Sequence, residues 1–168
     1  HWFNADVVTR ELAGVGVGVL RNASTRVAIN GTALPIVGLG DLWTEGVNLA
    51  RAFAGVAAPF TLVLMHIPDT IAGWRRPGTH LVLAGHTHGG QVMMFGWTPL
   101  KHSLFGYWSG WFEEDGARLY VSRGVGVTFL PLRIGASPEI PVVRLQVNVA
   151  APTCDQPAES APARRRHS

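Results

Sequence analysis

The stretch LVLAGHTHGGQ at 81–91 limits what this chain can fold into more than any other part of it. Residues 81–84 are apolar and read as a short buried strand, which Gly85 then breaks. His86 and His88 follow two apart, so in extended backbone both imidazoles project to the same side. Gly89 and Gly90 keep bulk away from them and let the backbone turn closely. Neutral imidazole is the commonest protein ligand for transition metals, and two of them at a strand end predict part of a metal site. An isolated pair reads as readily as one backbone-bonded histidine beside a solvated one, so the rest of the chain has to decide.

Upstream, Asn4 is placed to cap a helix over 5–13, with Ala5, Val8 and Leu12 at helical spacing and Gly14 and Gly16 closing it. Residues 15–20 and 25–29 read as two strands, and Asn30-Gly31 predicts a hairpin returning along 34–39. Pro35 pushes that return strand toward an edge. Thr44 is the expected cap of a helix over 46–53. Residues 60–65 are almost wholly apolar, as expected of a strand covered on both faces, and the run ends at His66. The interval 67–80 is long enough for the helical crossover that a parallel neighbour requires. Two adjacent parallel strands would then deliver His66, His86 and His88 at their carboxyl ends, the edge where open α/β sheets bind ligands. The aromatic and methionine-rich segment 92–112 is broken by glycine and proline and reads as irregular. Residues 118–122 and 142–147 read as two further strands. Beyond Val149 the chain turns to Ala, Pro, Ser and Arg, a composition too polar to bury a core. The expected division is thus an ordered unit at 1–149 and a disordered Pro/Ala/Arg-rich tail at 150–168.

Composition removes several classes. A chain of 168 residues, 47% hydrophobic and 15% charged, supports one globular unit with a real core. No run of about 18 apolar residues is present, so no membrane-spanning helix is expected. The chain does not begin with Met, and residue 1 reads as a cut point. One cysteine, Cys154, excludes a disulfide framework and a cysteine metal cluster. The formal charge of +3 is matched by Arg164, Arg165 and Arg166 in the tail, so no nucleic-acid partner is expected.

The string GHTHGGQ at 85–91 resembles, residue for residue, the last motif of the calcineurin-like metallophosphoesterases, in particular their bacterial membrane-associated branch. PFTLVLMHIPD at 59–69 resembles that family's strand followed by a histidine and a Pro-Asp pair, and Gly124-Val-Gly126, LPLR at 130–133 and SPEI at 137–140 resemble the branch's later pattern. The resemblance implies an α/β fold, the carboxyl-terminal part of a four-layer α/β/β/α sandwich. It also implies that His66 and His86 bind one metal and His88 the other, in a centre of two divalent or trivalent ions. Manganese, iron or zinc suits such ligands better than magnesium. The implied reaction is hydrolysis of a phosphomonoester or phosphodiester, lipid-linked in some relatives, by a bacterial protein in contact with a membrane surface. Arg133 is a candidate for the substrate phosphate, with an ion pair to Glu139 as the competing role.

The family's Asp-x-His and Asn-His-Asp motifs do not occur in the sequence, and Gly40-Asp41 lies too late to be the family's bridging Gly-Asp. The opening HWFNAD at 1–6 resembles the residues that come directly after Asn-His-Asp in that family, so the catalytic histidine is expected upstream of residue 1. By itself this polypeptide is expected to bind metal weakly and to catalyse poorly or not at all. Asp69 reads as a helix cap, Asp41 as a solvated loop carboxylate, and His80 and His102 as structural or surface residues. Two rivals stand beside the phosphoesterase. One is a different H-x-H hydrolase, disfavoured by the Gly-Gly-Gln that succeeds His88. The other is a non-catalytic binding module on the same scaffold.

Overall fold

A computed structural model describes residues 4–74, 76–99, 102–114 and 116–146. The expected tail at 150–168 and His1 lie outside them. The elements are α1 (Ala5–Gly14), β1 (Ala23–Ile29), β2 (Thr32–Gly38), α2 (Leu49–Ala52), β3 (Phe60–Leu64), β4 (Thr79–Ala84), β5 (Gly110–Glu114) and β6 (Ala117–Val121). They build a mixed α/β structure on one six-stranded sheet of order β1-β2-β3-β4-β6-β5. The centre, from β2 through β3 and β4 to β6, is parallel, and antiparallel hairpins close both sides. This architecture is consistent with part of a metallophosphoesterase α/β sandwich. Among the described residues no helix is long and apolar enough to cross a membrane.

Local chemistry accounts for most of these elements. The Asn4 side chain accepts from the backbone N–H groups of Asp6 and Val7, capping α1. Asn30 and Gly31 both take positive φ, the requirement of the tight two-residue turn that sets Ile29 opposite Thr32. The parallel register is fixed by burial: Val37, Val63, Val82 and Leu119 pair in sequence across four strands and are all fully buried. A one-residue slip would move any of them to the opposite face. The ring of Trp74 and the side chain of Ile71 close over the same core.

Several expectations are corrected. Residues 15–20 form no strand, because glycines at 14, 16 and 18 leave few side chains to pack and Gly16 takes positive φ. Asn48, not Thr44, caps the helix, which is confined to Leu49–Ala52. Pro35 does not make β2 an edge; the pairing with β3 begins only at Ile36, so the imino nitrogen faces no β3 partner. The crossover after β3 is a 3-10 turn at Pro68–Gly73, cut short by the proline and glycine of Pro77-Gly78. β3 alternates in burial and leaves Leu64 exposed, so one of its faces is only partly covered by the described residues. Residues 142–146 follow Pro141 and join no strand among the described residues, and residue 147 lies outside them. The segment 92–112 contains the start of β5, held to β6 by Trp111 against Tyr120 at 4.9 Å and by Glu113 near Arg118 at 3.6 Å.

His80, at the start of β4, is structural. Its ring packs edge-on against Trp74 at 5.2 Å and Phe53 at 5.8 Å, and Nε2 lies 3.2 Å from the Pro77 carbonyl. Burial lowers its pKa below the ordinary 6.5; the Pro77 contact opposes this and the Arg76 charge adds to it. An imidazole that resists protonation only when folded costs nothing above about pH 6.5 and destabilises the fold as pH falls below it. We therefore expect the urea midpoint to fall between pH 7.5 and pH 5, and His80→Phe to fall less steeply over that interval. Equal slopes in the two proteins would show that His80 does not titrate with unfolding.

Candidate metal centre

The ladder between β3 and β4 continues past the strands themselves. Met65 N–H donates to Leu83 O at 3.0 Å and Gly85 N–H donates to His66 O at 3.1 Å. The two chain ends therefore stay in register to the point where His66 and His86 emerge. There His66 Nε2 and His86 Nδ1 face each other 3.3 Å apart, with ring centroids 5.0 Å apart. Two nitrogens at about 2.0–2.1 Å from one tetrahedral ion are themselves about 3.3–3.4 Å apart, so this pair has the bite of a metal chelate.

His88 is held differently. Its Nδ1 lies 3.1 Å from Gly126 O, so that nitrogen carries the proton and donates to the carbonyl. The other nitrogen, Nε2, keeps its lone pair and receives the Thr128 hydroxyl at 3.1 Å. A carbonyl bond on the far ring nitrogen is the usual support of a ligating histidine. Among the described residues, however, no three His, Cys, Asp or Glu side chains converge to hold one ion. The His66–His86 pair fits a metal as it stands; His88 fits one once Thr128 gives way.

The turn after β4 is strained where these rings leave it. His86, His88 and Gln91 all take positive φ, at 68°, 53° and 50°. Left-handed backbone at non-glycine residues persists only where the surroundings over-determine it. Here Thr87, fully buried, donates to Trp108 O at 2.6 Å. Gln91, also fully buried, donates to Thr128 O and Leu130 O and accepts from Thr128 N–H at 2.6 Å. All five N–H groups of Arg133 are committed to the carbonyls of Gly126, His88, Ala136 and Arg123. Arg133 is thus a brace behind His88, and the partner expected for it, Glu139, pairs with Arg123 instead at 2.8 Å. Burial pushes the Glu139 carboxyl up, but bonds from Arg123 and Tyr120 outweigh it and hold the group below its ordinary value.

Residues read as peripheral in the sequence also reach this edge. His102 brings its ring centroid to 5.8 Å from His86 and 6.5 Å from His88. Trp43 stands edge-on to His86 at 4.8 Å. The Asp41 carboxylate caps its own turn, accepting from Trp43 N–H and Thr44 N–H, and lies near enough to raise the pKa of both His66 and His86. Its loop is stapled by Asn22, whose amide donates to Gly46 O and accepts from Gly40 and Asn48 N–H, each at 2.9 Å. Asp69 does not cap the turn at Pro68–Gly73, whose N-cap position is Ile67; it accepts from the Ser103 hydroxyl and Leu104 N–H across the chain. Burial, ahead of repulsion from His66 and His102, pushes His86 down to about 4. Burial likewise lowers His66 and His102. Below their ordinary range these rings are neutral at pH 7, the form that binds metal.

Comparison with known proteins gives this chemistry a context. The chain is 32% identical over 135 residues to the uncharacterized metallophosphoesterase YkuE of Bacillus subtilis, covering 78% of this chain and 47% of that protein. It is 32% identical over 145 residues to the phosphodiesterase YaeI of Escherichia coli, covering 83% of this chain and 51% of that protein. These two relatives, each matched over most of this chain, are thus a metallophosphoesterase and a phosphodiesterase. The finding is consistent with the calcineurin-like superfamily that GHTHGGQ resembles. A further relative is the UDP-2,3-diacylglucosamine pyrophosphatase LpxG of Chlamydia trachomatis, 29% identical over 145 residues, or 76% of this chain and 44% of that protein. The chain spans about half the length of these relatives. No family model and no solved structure matches it.

The glycines of the turn are a direct test of its packing. A Cβ on Gly89, which takes positive φ, would lie 2.6 Å from Arg123 Cγ, whereas a Cβ on Gly73 meets nothing within 4 Å. Gly89→Ala should cost about 1–3 kcal/mol in urea unfolding, from overpacking and left-handed strain together. Gly73→Ala should change stability by about 1 kcal/mol at most. A Gly89→Ala protein as stable as the parent would contradict this packing.

Proposed function

We propose that the intact protein hydrolyses a phosphomonoester or phosphodiester at a centre of two metal ions. Residues 1–149 would form the carboxyl-terminal part of its catalytic domain. The observation that carries this reading is the 3.3 Å approach of His66 Nε2 to His86 Nδ1 at neighbouring strand ends, in a chain with a metallophosphoesterase and a phosphodiesterase among its relatives. On this reading His66 and His86 hold one ion and His88 contributes to the other, with manganese, iron or zinc preferred over magnesium. When bound, such ions polarise phosphoryl oxygens and supply hydroxide near neutral pH. The chain's own residues keep their ring nitrogens deprotonated by burial, hold His88 in one tautomer through Gly126, and keep the turn rigid through Gln91 and Arg133.

A lipid-linked ester is the substrate class this reading favours. Met94, Phe95, Trp97, Phe129 and Leu130 are exposed on loops that meet beside the turn, where Met93 N–H donates to Ile134 O at 2.7 Å. Exposed apolar loops at the mouth of a site suit an acyl chain or a membrane surface. One relative is named as a pyrophosphatase of a diacylated nucleotide sugar. The second reading is a non-catalytic binding module, favoured by the lack of a three-ligand cluster among the described residues.

The deciding experiment assays the intact protein, loaded with manganese, zinc, iron or magnesium, on para-nitrophenyl phosphate and its bis-ester. Wild type should turn over at least one ester with manganese, iron or zinc, and His86→Ala should lose bound metal and about 100-fold or more of kcat/KM. A His86→Ala protein that keeps its metal and full activity would remove the proposed ligand role, and a metal-loaded wild type inert on both esters would favour the binding module.

A further inference from the structure

Beyond the three expected ligands, the edge carries a fourth imidazole with no assigned task. His102 Nε2 is buried and has no hydrogen-bond partner among the described residues. A buried polar atom of this kind costs stability unless something outside the chain satisfies it. Its ring lies 5.8 Å from His86 at 84° and 6.5 Å from His88 at 53°, so it neighbours both of these expected ligands. It does not join either ligand group, since no three such side chains converge among the described residues.

The loop that carries His102 is anchored to the turn that follows His66. Asp69, three residues after His66, accepts from Ser103 Oγ at 2.5 Å and from Leu104 N–H at 2.7 Å. Ser103, itself buried, accepts in turn from Tyr107 N–H at 3.0 Å. One carboxylate therefore ties the turn that follows β3 to the residues immediately following His102. The nearby guanidinium groups are already engaged: Arg133 spends all five donors on carbonyls and Arg123 is paired with Glu139. A phosphate ester bound here needs a donor for an oxygen that the metals do not take, and the two arginines are occupied elsewhere.

Building on the phosphoesterase reading above, we propose that His102 is a substrate-contacting residue. It donates from Nε2 to a phosphoryl oxygen of the ester lying between the His66–His86 pair and His88. Asp69 is its positioning residue. A hydrogen bond to a charged oxygen is among the stronger ones a neutral ring can make, and it draws on no metal coordination.

The test uses the intact protein loaded with manganese, with orthophosphate as the probe, titrated by calorimetry beside metal analysis and steady-state kinetics. His102→Ala should retain the wild-type manganese content, bind orthophosphate about tenfold or more weakly, and lose at least as much kcat/KM. His102→Gln, whose amide can place an N–H near the lost Nε2, should recover part of the phosphate affinity; it also serves if the alanine variant fails to fold. Unchanged orthophosphate affinity in both variants overturns the proposal, and so does loss of manganese on the scale of His86→Ala, which would make His102 a ligand. A wild type that takes up no manganese overturns the phosphoesterase reading, and this proposal with it.

Discussion

Everything at this edge depends on the parallel register between β3 and β4. The pairing runs from Phe60 opposite Thr79 to Leu64 opposite Leu83, and two more backbone bonds carry it to His66 and Gly85. Burial of Val63 beside Val82 locks that register, because a slip of one residue would turn a fully buried valine outward. Since the register is set by hydrocarbon deep in the sheet, the 3.3 Å spacing of the two ring nitrogens needs no support from a bound ion. The sheet interior thereby determines the chemistry of its rim.

The loops beyond the rim are short of regular structure and are held by buried polar groups instead. Asn22 staples the Gly40–Asn48 loop, Gln91 the 128–134 loop, Arg133 the backbone behind His88, and Asp69 the segment after His102. Each makes two or more bonds across the chain, so truncating any one of them would strand several donors or acceptors. The left-handed residues of the turn fit the same pattern: strain at His86 and His88 is tolerated because the bonds around them over-determine the path. Such a rim is pre-organised, which is what a site needs if binding free energy is not to be spent on ordering it.

What the sequence revealed was whatever local chemistry decides. The Asn4 cap, the Asn30-Gly31 turn, the two apolar strands ending in histidine and the glycine pair after His88 all express preferences within a few residues. What it hid depends on distant partners. Residues 142–146 have a strand-like composition, yet find no neighbour in the described sheet. The β5 strand carries Glu113 and Glu114, poor strand formers, and is stabilised by β6 across the turn. Asp69 resembled a cap because it sits in a first turn, while its bonds run to residues more than thirty positions on. His102 had no ligand-like spacing to mark it, since only the fold of the aromatic segment brings it near His86.

The central claim is that His66 and His86 form a metal-binding pair, and anomalous diffraction from crystals of the manganese-loaded intact protein tests it most directly. The account predicts an anomalous peak bonded to both His66 Nε2 and His86 Nδ1, with His88 beside a second ion. A peak elsewhere in the protein, or none near these two nitrogens in a protein that has taken up manganese, would contradict it.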